Sequence, residues 1–164
     1  MSNPLTEKIK ALATGFAPAI IQIRRHLHAN PELSELEFRT ADFICATLDS
    51  YGIPYTRGVG GNGIVAVIEG KQPQATTLAL RADMDALPIN ELNICDYKSQ
   101  YPGVMHACGH DVHMASLLGA SRILNELRDE FEGTIRLIFQ PSEEKFPGGA
   151  LAMINDGVLK NPVP

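Results

Sequence analysis

Apolar side chains recur at three- to four-residue spacing in four stretches of the chain, which is the pattern of amphipathic helices. Pro18 predicts a bend or interruption in the first helix, and Ser34 with Glu37 has the spacing of a capping box at the start of the second. Gly52 and Gly157 are typical helix ends. The predicted helices run over residues 5–28, between 34 and 52, over about 111–129, and from 148 or 149 to 157.

Four shorter runs are dense in β-branched and aliphatic residues and predict strands over 53–56, 64–69, 77–81 and 134–139. The glycine-rich segment 58–63 lacks the ending of a phosphate-binding loop and no helix follows it, so it is predicted to connect two strands. The last two strands and the helix between them form a βαβ unit, which predicts an α/β fold, a right-handed crossover and parallel strands. The long polar loop 83–110 lies inside this unit, and such loops are usually functional.

Composition narrows the class of protein. The 164 residues are 45% apolar and 20% charged, which indicates one globular domain with a real core. A net charge of −5 without a basic run argues against nucleic-acid binding, and no apolar stretch is long enough to cross a membrane. The first residues lack the pattern of a signal peptide, and three cysteines at irregular spacing do not form a disulfide framework. We therefore expect a cytoplasmic setting.

Three motifs are predicted to meet at one edge of the sheet, because ligands of such sheets lie beyond the carboxyl ends of the strands. Two motifs directly follow predicted strands, and the third precedes the connecting helix. The residues concerned are Asp83 and Asp85 after one strand, Glu143 and Glu144 after the other, and Cys108, His110 and Asp111 at the start of the helix.

A thiolate, imidazoles and paired carboxylates are the donors of a transition-metal site. Cys108 and His110 can face one ion, and Gly109 between them permits a tight backbone. Glu143 and Glu144 are adjacent, so in extended backbone they point to opposite sides. One of them can then bind the metal while the other takes a proton from water.

The remaining candidates leave alternatives open. Asp83 and Asp85 can bind metal or orient a ligating imidazole, and the orienting role is favoured. His106 and His113 can bind a substrate carboxylate or simply pair with a backbone carbonyl. Three other residues are predicted to be structural: His26 and His28 on a solvated helix face, and Cys45 in the core.

These motifs resemble those of the M20 metallopeptidase family, in its amidohydrolase branch of aminoacylases, hippurate hydrolases and auxin-conjugate hydrolases. The resemblance covers nearly the whole chain and is carried, in order, by RRHLH with PEL (24–33), RADMDALP (81–88), MHACGHDVH (105–113), and FQPSEE with GGA (139–150). It implies a three-layer α/β/α sandwich of the zinc-peptidase type with a mixed sheet. It further implies hydrolysis of N-acyl amino acids or small peptides to a carboxylic acid and an amino acid.

The resemblance also implies residue roles. Cys108, His110 and Glu144 would bind divalent metal, with two ions (zinc, manganese, cobalt or nickel) in a full-length site. Glu143 would be the general base toward a metal-activated water, and Asp85 would orient the site. Full-length members of the family are expected to be homodimers.

This chain departs from the family pattern at its end. Family members carry further ligand histidines and an inserted lid domain, whereas no histidine follows His113 here. Residues 1–164 are thus expected to be the N-terminal part of the catalytic domain, inactive alone, with a sheet edge left unpaired or completed by something else. Two alternatives are a non-catalytic relative that binds metal weakly or acts through a partner, and thiol catalysis with Cys108 as nucleophile and a neighbouring histidine as base.

Overall fold

A computed structural model describes residues 3–160 and 163–164. The described residues contain four helices and four strands, in the order two helices, three strands, a helix, a strand and a last helix, with one short 3-10 turn at Arg128–Glu130. The helices are α1 (Pro4–Ala29), α2 (Phe38–Ser50), α3 (His110–Glu126) and α4 (Gly149–Asn155). The strands are β1 (Tyr55–Val59), β2 (Gly63–Glu69), β3 (Thr77–Asp83) and β4 (Thr134–Gln140).

The strands form one mixed sheet in the order β1-β2-β4-β3. β2 is antiparallel to both β1 and β4, whereas β3 and β4 are parallel, as the βαβ pattern predicts. All residues of β4 are buried, because this strand is paired on both sides and covered on both faces.

Helices cover the two faces of the sheet unequally. Alternate residues of β4 point to opposite faces, so Leu137 and Phe139 join the large core under α1, α2 and α3. Ile138 points to the other face, where it packs with Met153 of α4 and with Val158. The arrangement confirms the expected α/β/α layering with a mixed sheet.

The predicted interruption of helix α1 at Pro18 and the predicted capping box of helix α2 are wrong. Helix α1 is continuous through Pro18, because the helix packs along α3 and this packing outweighs one lost backbone hydrogen bond. Helix α2 has no side-chain cap, and Ser34 and Glu37 are used elsewhere. Cys45 is buried in the core, as predicted. Among the described residues, no helix has the length and apolar character that a membrane span requires.

Candidate metal centre

The end of the sheet brings the sequence motifs together. Asp83 and Gln140 are the last residues of β3 and β4 and are paired with each other, so the loops that follow both strands leave from one edge. Helix α3 begins at the same edge with His110, after Gly109 with a φ of 92°. This left-handed conformation favours glycine, and it turns the chain from the long loop into the helix. The predicted convergence is confirmed.

The centre of the site consists of Cys108, His110 and Glu144, whose sulfur, nitrogen and oxygen atoms all lie within 4.8 Å of one another. His110 is buried, whereas the other two side chains are open to solvent. One thiol, one imidazole and one carboxylate are a donor set that suits zinc and similar divalent ions. These residues therefore fit a transition-metal ion.

His110 is held so that one particular nitrogen faces the site. Its Nδ1 donates to the backbone carbonyl of Asp85 at 2.8 Å, which leaves Nε2 as the available ligand atom. That Nε2 lies 3.8 Å from Oε1 of Glu144 and 3.9 Å from Oε2 of Glu143. The two carboxylates thus approach the same nitrogen.

The prediction that Glu143 and Glu144 point to opposite sides is wrong. The backbone bends through residues 143–145 instead of staying extended, so the alternation of a strand does not apply. Both carboxylates lie near His110, with Glu143 the more exposed of the two at 41%. One carboxylate beside the metal donors and a second one open to solvent is still the arrangement that a ligand and a base require.

A second group of possible donors consists of Asp83, His110 and His113. It shares the imidazole of His110, and that imidazole offers only Nε2, so the two groups cannot both use it for separate ions. Asp83 is already paired, since it contacts His113 Nδ1 at 2.7 Å and Arg81 at 3.0 Å. His113 therefore pairs with a carboxylate rather than with a backbone carbonyl, and its binding of a substrate carboxylate stays a prediction.

Asp85 is placed to orient the site. Its Oδ2 accepts hydrogen bonds from the Ser34 hydroxyl at 2.6 Å and from the Glu144 backbone N–H at 3.0 Å. Its Oδ1 is buried and lies 3.4 Å from His110 Nδ1. Burial alone would raise the pKa of Asp85, but hydrogen bonds led by those from His110 and Ser34 outweigh it and hold the pKa well below its usual range. The residue is an anion that links three segments of the site.

Neighbouring carboxylates raise the pKa of the two other candidate donors, His110 and Cys108. Burial would lower the pKa of His110, but the carboxylates of Asp85 and Asp83 outweigh it and raise that pKa. The Glu144 carboxylate and burial raise the pKa of the Cys108 thiol.

Hydrogen bonds between the segment 35–37 and Ser142 form a clamp behind the site, which the sequence did not predict. The fully buried Glu37 accepts hydrogen bonds from the Ser142 backbone N–H at 2.7 Å and from Asn62 at 3.0 Å. The Ser142 hydroxyl in turn accepts from the Glu35 backbone N–H at 2.9 Å. Glu35 and Ser142 both have positive φ angles, 71° and 52°, which non-glycine residues adopt only under constraint.

The prediction that His28 lies on a solvated face is wrong. His28 is buried between Asp111 at 2.7 Å and Glu91 at 3.0 Å, and Arg24 also contacts Asp111 at 3.0 Å. This network joins α1 to the start of α3, directly after His110. His26 is exposed as predicted and stacks on Phe43. No local sequence signal distinguishes the two histidines, since both follow the same arginine pair.

His106 is buried. Neither of its ring nitrogens has a hydrogen-bond partner in the part of the chain that the structure describes, so the predicted pairing with a backbone carbonyl is wrong. Burial lowers its pKa to about 4, so the ring is neutral at ordinary pH. Its binding of a substrate carboxylate stays a prediction.

The fold and the site define an α/β protein with a candidate transition-metal centre at the carboxyl edge of its sheet. Residues 79–163 match the profile of peptidase family M20/M25/M40. The chain belongs to this family, as its motifs indicate.

Individual relatives agree with this assignment. The N-acyl-L-amino acid amidohydrolase of Geobacillus stearothermophilus is 48% identical over 93% of this chain and 41% of its own length. Thermostable carboxypeptidase 2 of Saccharolobus solfataricus is 48% identical over 94% of this chain and 40% of its own. The Bacillus subtilis YXEP protein, a dinuclear metal-binding peptidase of the M20 family, superposes with a TM-score of 0.84 at 41% identity, over 94% of this chain and 42% of its own. The chain therefore spans about two fifths of the length of these relatives.

Proposed function

We propose that this chain supplies the metal donors and the general base of an amidohydrolase that cleaves N-acyl amino acids or small peptides. The observation that carries the proposal is the grouping of Cys108, His110 and Glu144 within 4.8 Å, with a second carboxylate, Glu143, 3.9 Å from His110. The products are a carboxylic acid and an amino acid. The names of the relatives support amide substrates of this kind, since one is an N-acyl-L-amino acid amidohydrolase and another a carboxypeptidase.

Cys108, His110 and Glu144 would hold a divalent ion of zinc, manganese, cobalt or nickel. When bound, the ion activates a water molecule and polarises the carbonyl of the scissile amide. The dinuclear YXEP protein supports the further proposal that a complete site holds two ions.

The chain's own residues have distinct tasks. Glu143 is the proposed base, because it lies at the site and its carboxylate is accessible to solvent. It takes a proton from the attacking water and passes that proton to the leaving amine. Asp85 fixes the Nδ1–H tautomer of His110 through its carbonyl group and tethers the Glu144 backbone through its carboxylate.

We further propose that residues 1–164 form the first part of a catalytic domain and do not turn over substrate alone. The described residues bring only three donors into the central group, and the relatives are about two and a half times as long. A non-catalytic role would be favoured if a longer chain, extended to the length of the relatives, also failed to hydrolyse N-acetyl and N-benzoyl amino acids with any of the four metals.

Metal dependence and the role of Glu143 are tested on that longer chain. Chelation should abolish hydrolysis and added metal should restore it, whereas thiol catalysis predicts indifference to chelators. Glu143→Gln should keep the metal and lower kcat by at least about 100-fold, since general-base catalysis contributes about 10²–10⁴ in rate. Glu126→Gln, at an exposed position on α3, is the matched control and should retain full activity. Normal turnover by Glu143→Gln would contradict the assigned base.

A further inference from the structure

A cleft of about 420 Å³ opens beside the candidate metal centre, and Glu144 belongs to both. Its size lies within the range of about 300–1,000 Å³ that is typical of small-molecule sites. The walls are mainly apolar and consist of Leu33, Leu36, Ala86, Leu87 and Pro88. Any group bound in this cleft would be a direct neighbour of Glu144.

The walls of the cleft are held by backbone contacts. Leu33 and Ala86 form a parallel bridge, and the Ala86 N–H donates to the Glu32 carbonyl at 2.8 Å. Leu87 exchanges two backbone hydrogen bonds of 3.0 Å with Met105. The turn that carries Leu36 is closed by a bond of 3.0 Å from its N–H to the Leu33 carbonyl. These contacts preorganise the cleft, so little ordering is needed when a group enters.

The lining of the cleft does not favour the amino-acid half of the proposed substrate, which carries the α-carboxylate. Lys145 is paired with Glu35 at 2.5 Å, so its positive charge is already compensated. The same ion pair compensates Glu35, and Glu144 is a proposed metal ligand. An α-carboxylate would therefore find no free cation in the lining of the cleft, whereas an uncharged apolar group would meet leucine, alanine and proline side chains.

We propose that this cleft binds the acyl group of the substrate, and that it selects aromatic or branched aliphatic acyl chains over acetyl. This proposal rests on the proposed function, because it places the acyl side of the scissile amide next to Glu144. The amino acid with its carboxylate lies outside the cleft. Leu36 is the specificity-determining residue, because it lines the cleft and is still 54% exposed, which leaves apolar surface for an acyl group to cover.

The test compares three ligands on the cobalt-loaded Glu143→Gln variant of the longer chain described under Proposed function, which retains the donors but cannot consume the ligand. N-benzoylglycine has an apolar acyl group, N-acetylphenylalanine has an apolar amino-acid side chain, and N-acetylglycine has neither. Dissociation constants are measured by titration of backbone amide NMR signals. Leu36→Ala should raise the dissociation constant of N-benzoylglycine about fivefold, equivalent to about 1 kcal/mol of lost apolar contact. It should change the dissociation constant of N-acetylglycine less than about twofold.

Matched variants separate a local effect from a general one. Leu78→Ala removes a leucine of almost equal exposure, 56%, near the opposite end of β3 and should leave all three affinities unchanged. Leu36→Met should restore the binding of N-benzoylglycine. The acyl assignment would be overturned if Leu36→Ala weakened the binding of all three ligands equally. It would also be overturned if the variant weakened N-acetylphenylalanine binding and not N-benzoylglycine binding.

The outcomes for the acyl cleft and for the metal site are distinguishable. Cobalt binding is followed separately by the visible absorption of the ion. If cobalt binds but N-benzoylglycine does not saturate the site, the acyl cleft is refuted and the proposed metal centre stands. If cobalt does not bind to Cys108, His110 and Glu144, the proposed function is refuted together with the cleft.

Discussion

The buried carboxylate of Glu37 accepts a hydrogen bond of 2.7 Å from the backbone N–H of Ser142, across 105 residues of sequence. Ser142 directly precedes the proposed base Glu143 and ligand Glu144. The contact therefore ties the segment before helix α2 to the bend that carries these two carboxylates. Because Ser142 has a positive φ of 52°, this bend needs external support, and Glu37 provides it.

Replacement of Glu37 by glutamine should destabilise the protein. The amide offers only one acceptor oxygen where the carboxylate now receives bonds from Ser142 and Asn62 in a fully buried position. A buried donor left without a partner costs about 1–3 kcal/mol, so we expect a loss of about 2 kcal/mol. The free energy of unfolding from urea titration measures it.

Glu35→Gln is the matched control for this change. Glu35 lies two residues away, but its side chain is exposed and, within the described part of the chain, pairs with the exposed Lys145. Exposed ion pairs contribute little, so the stability of this variant should stay near that of the unchanged protein. If both substitutions lowered the free energy of unfolding equally, Glu37 would not be the residue that supports the bend at Ser142.

His28→Ala should be more disruptive than His26→Ala, although the two histidines are two residues apart on α1. Removal of His28 leaves the buried carboxylates of Glu91 and Asp111 without the ring between them. Breaking a buried charged network costs about 3–5 kcal/mol, whereas loss of the exposed stack of His26 on Phe43 should cost less than about 1 kcal/mol. Thermal unfolding of both variants gives the comparison, and similar melting temperatures would contradict it.

The sequence was sufficient for the part of the site that follows from topology. The strand, helix and strand of β3, α3 and β4 are continuous in the chain, and parallel neighbours must end at one edge. Asp85, His110 and Glu144 could therefore be brought together without knowledge of any distance. The position of β2 between β1 and β4 could not be predicted, because the apolar pattern does not specify strand order.

Contacts between distant segments were beyond the reach of local patterns. Ser34 and Glu37 have capping-box spacing, yet their side chains bind Asp85 and Ser142, which lie 51 and 105 residues away in sequence. These long-range partners occupy the side chains that a local cap would use. His28 was misplaced for the same reason, since its partner Asp111 is 83 residues away.

Gly149→Ala should destabilise the start of α4, whereas Gly15→Ala should not. A Cβ at position 149 would lie 1.9 Å from the backbone carbonyl oxygen of Pro141, and this backbone has no room to retreat beside the Ser142 clamp. We expect a loss of about 2 kcal/mol from such overpacking. Position 15 has open space within helix α1, so alanine there should add about 0.5–1 kcal/mol of stability. Urea titration of both variants measures the two opposite signs.

Cys108→Ser should remove the sulfur contribution to metal binding, whereas Cys95→Ser should leave it intact. Cys108 is the proposed sulfur donor beside His110 and Glu144. Cys95 lies in the same long loop but belongs to neither donor group of the described residues. Cobalt bound to a thiolate gives a sulfur-to-metal charge-transfer band, which serine cannot supply. The band should appear in the unchanged protein and in Cys95→Ser, disappear in Cys108→Ser, and be lost on chelation. A band that persists in Cys108→Ser would place the bound ion on another cysteine and exclude the proposed centre.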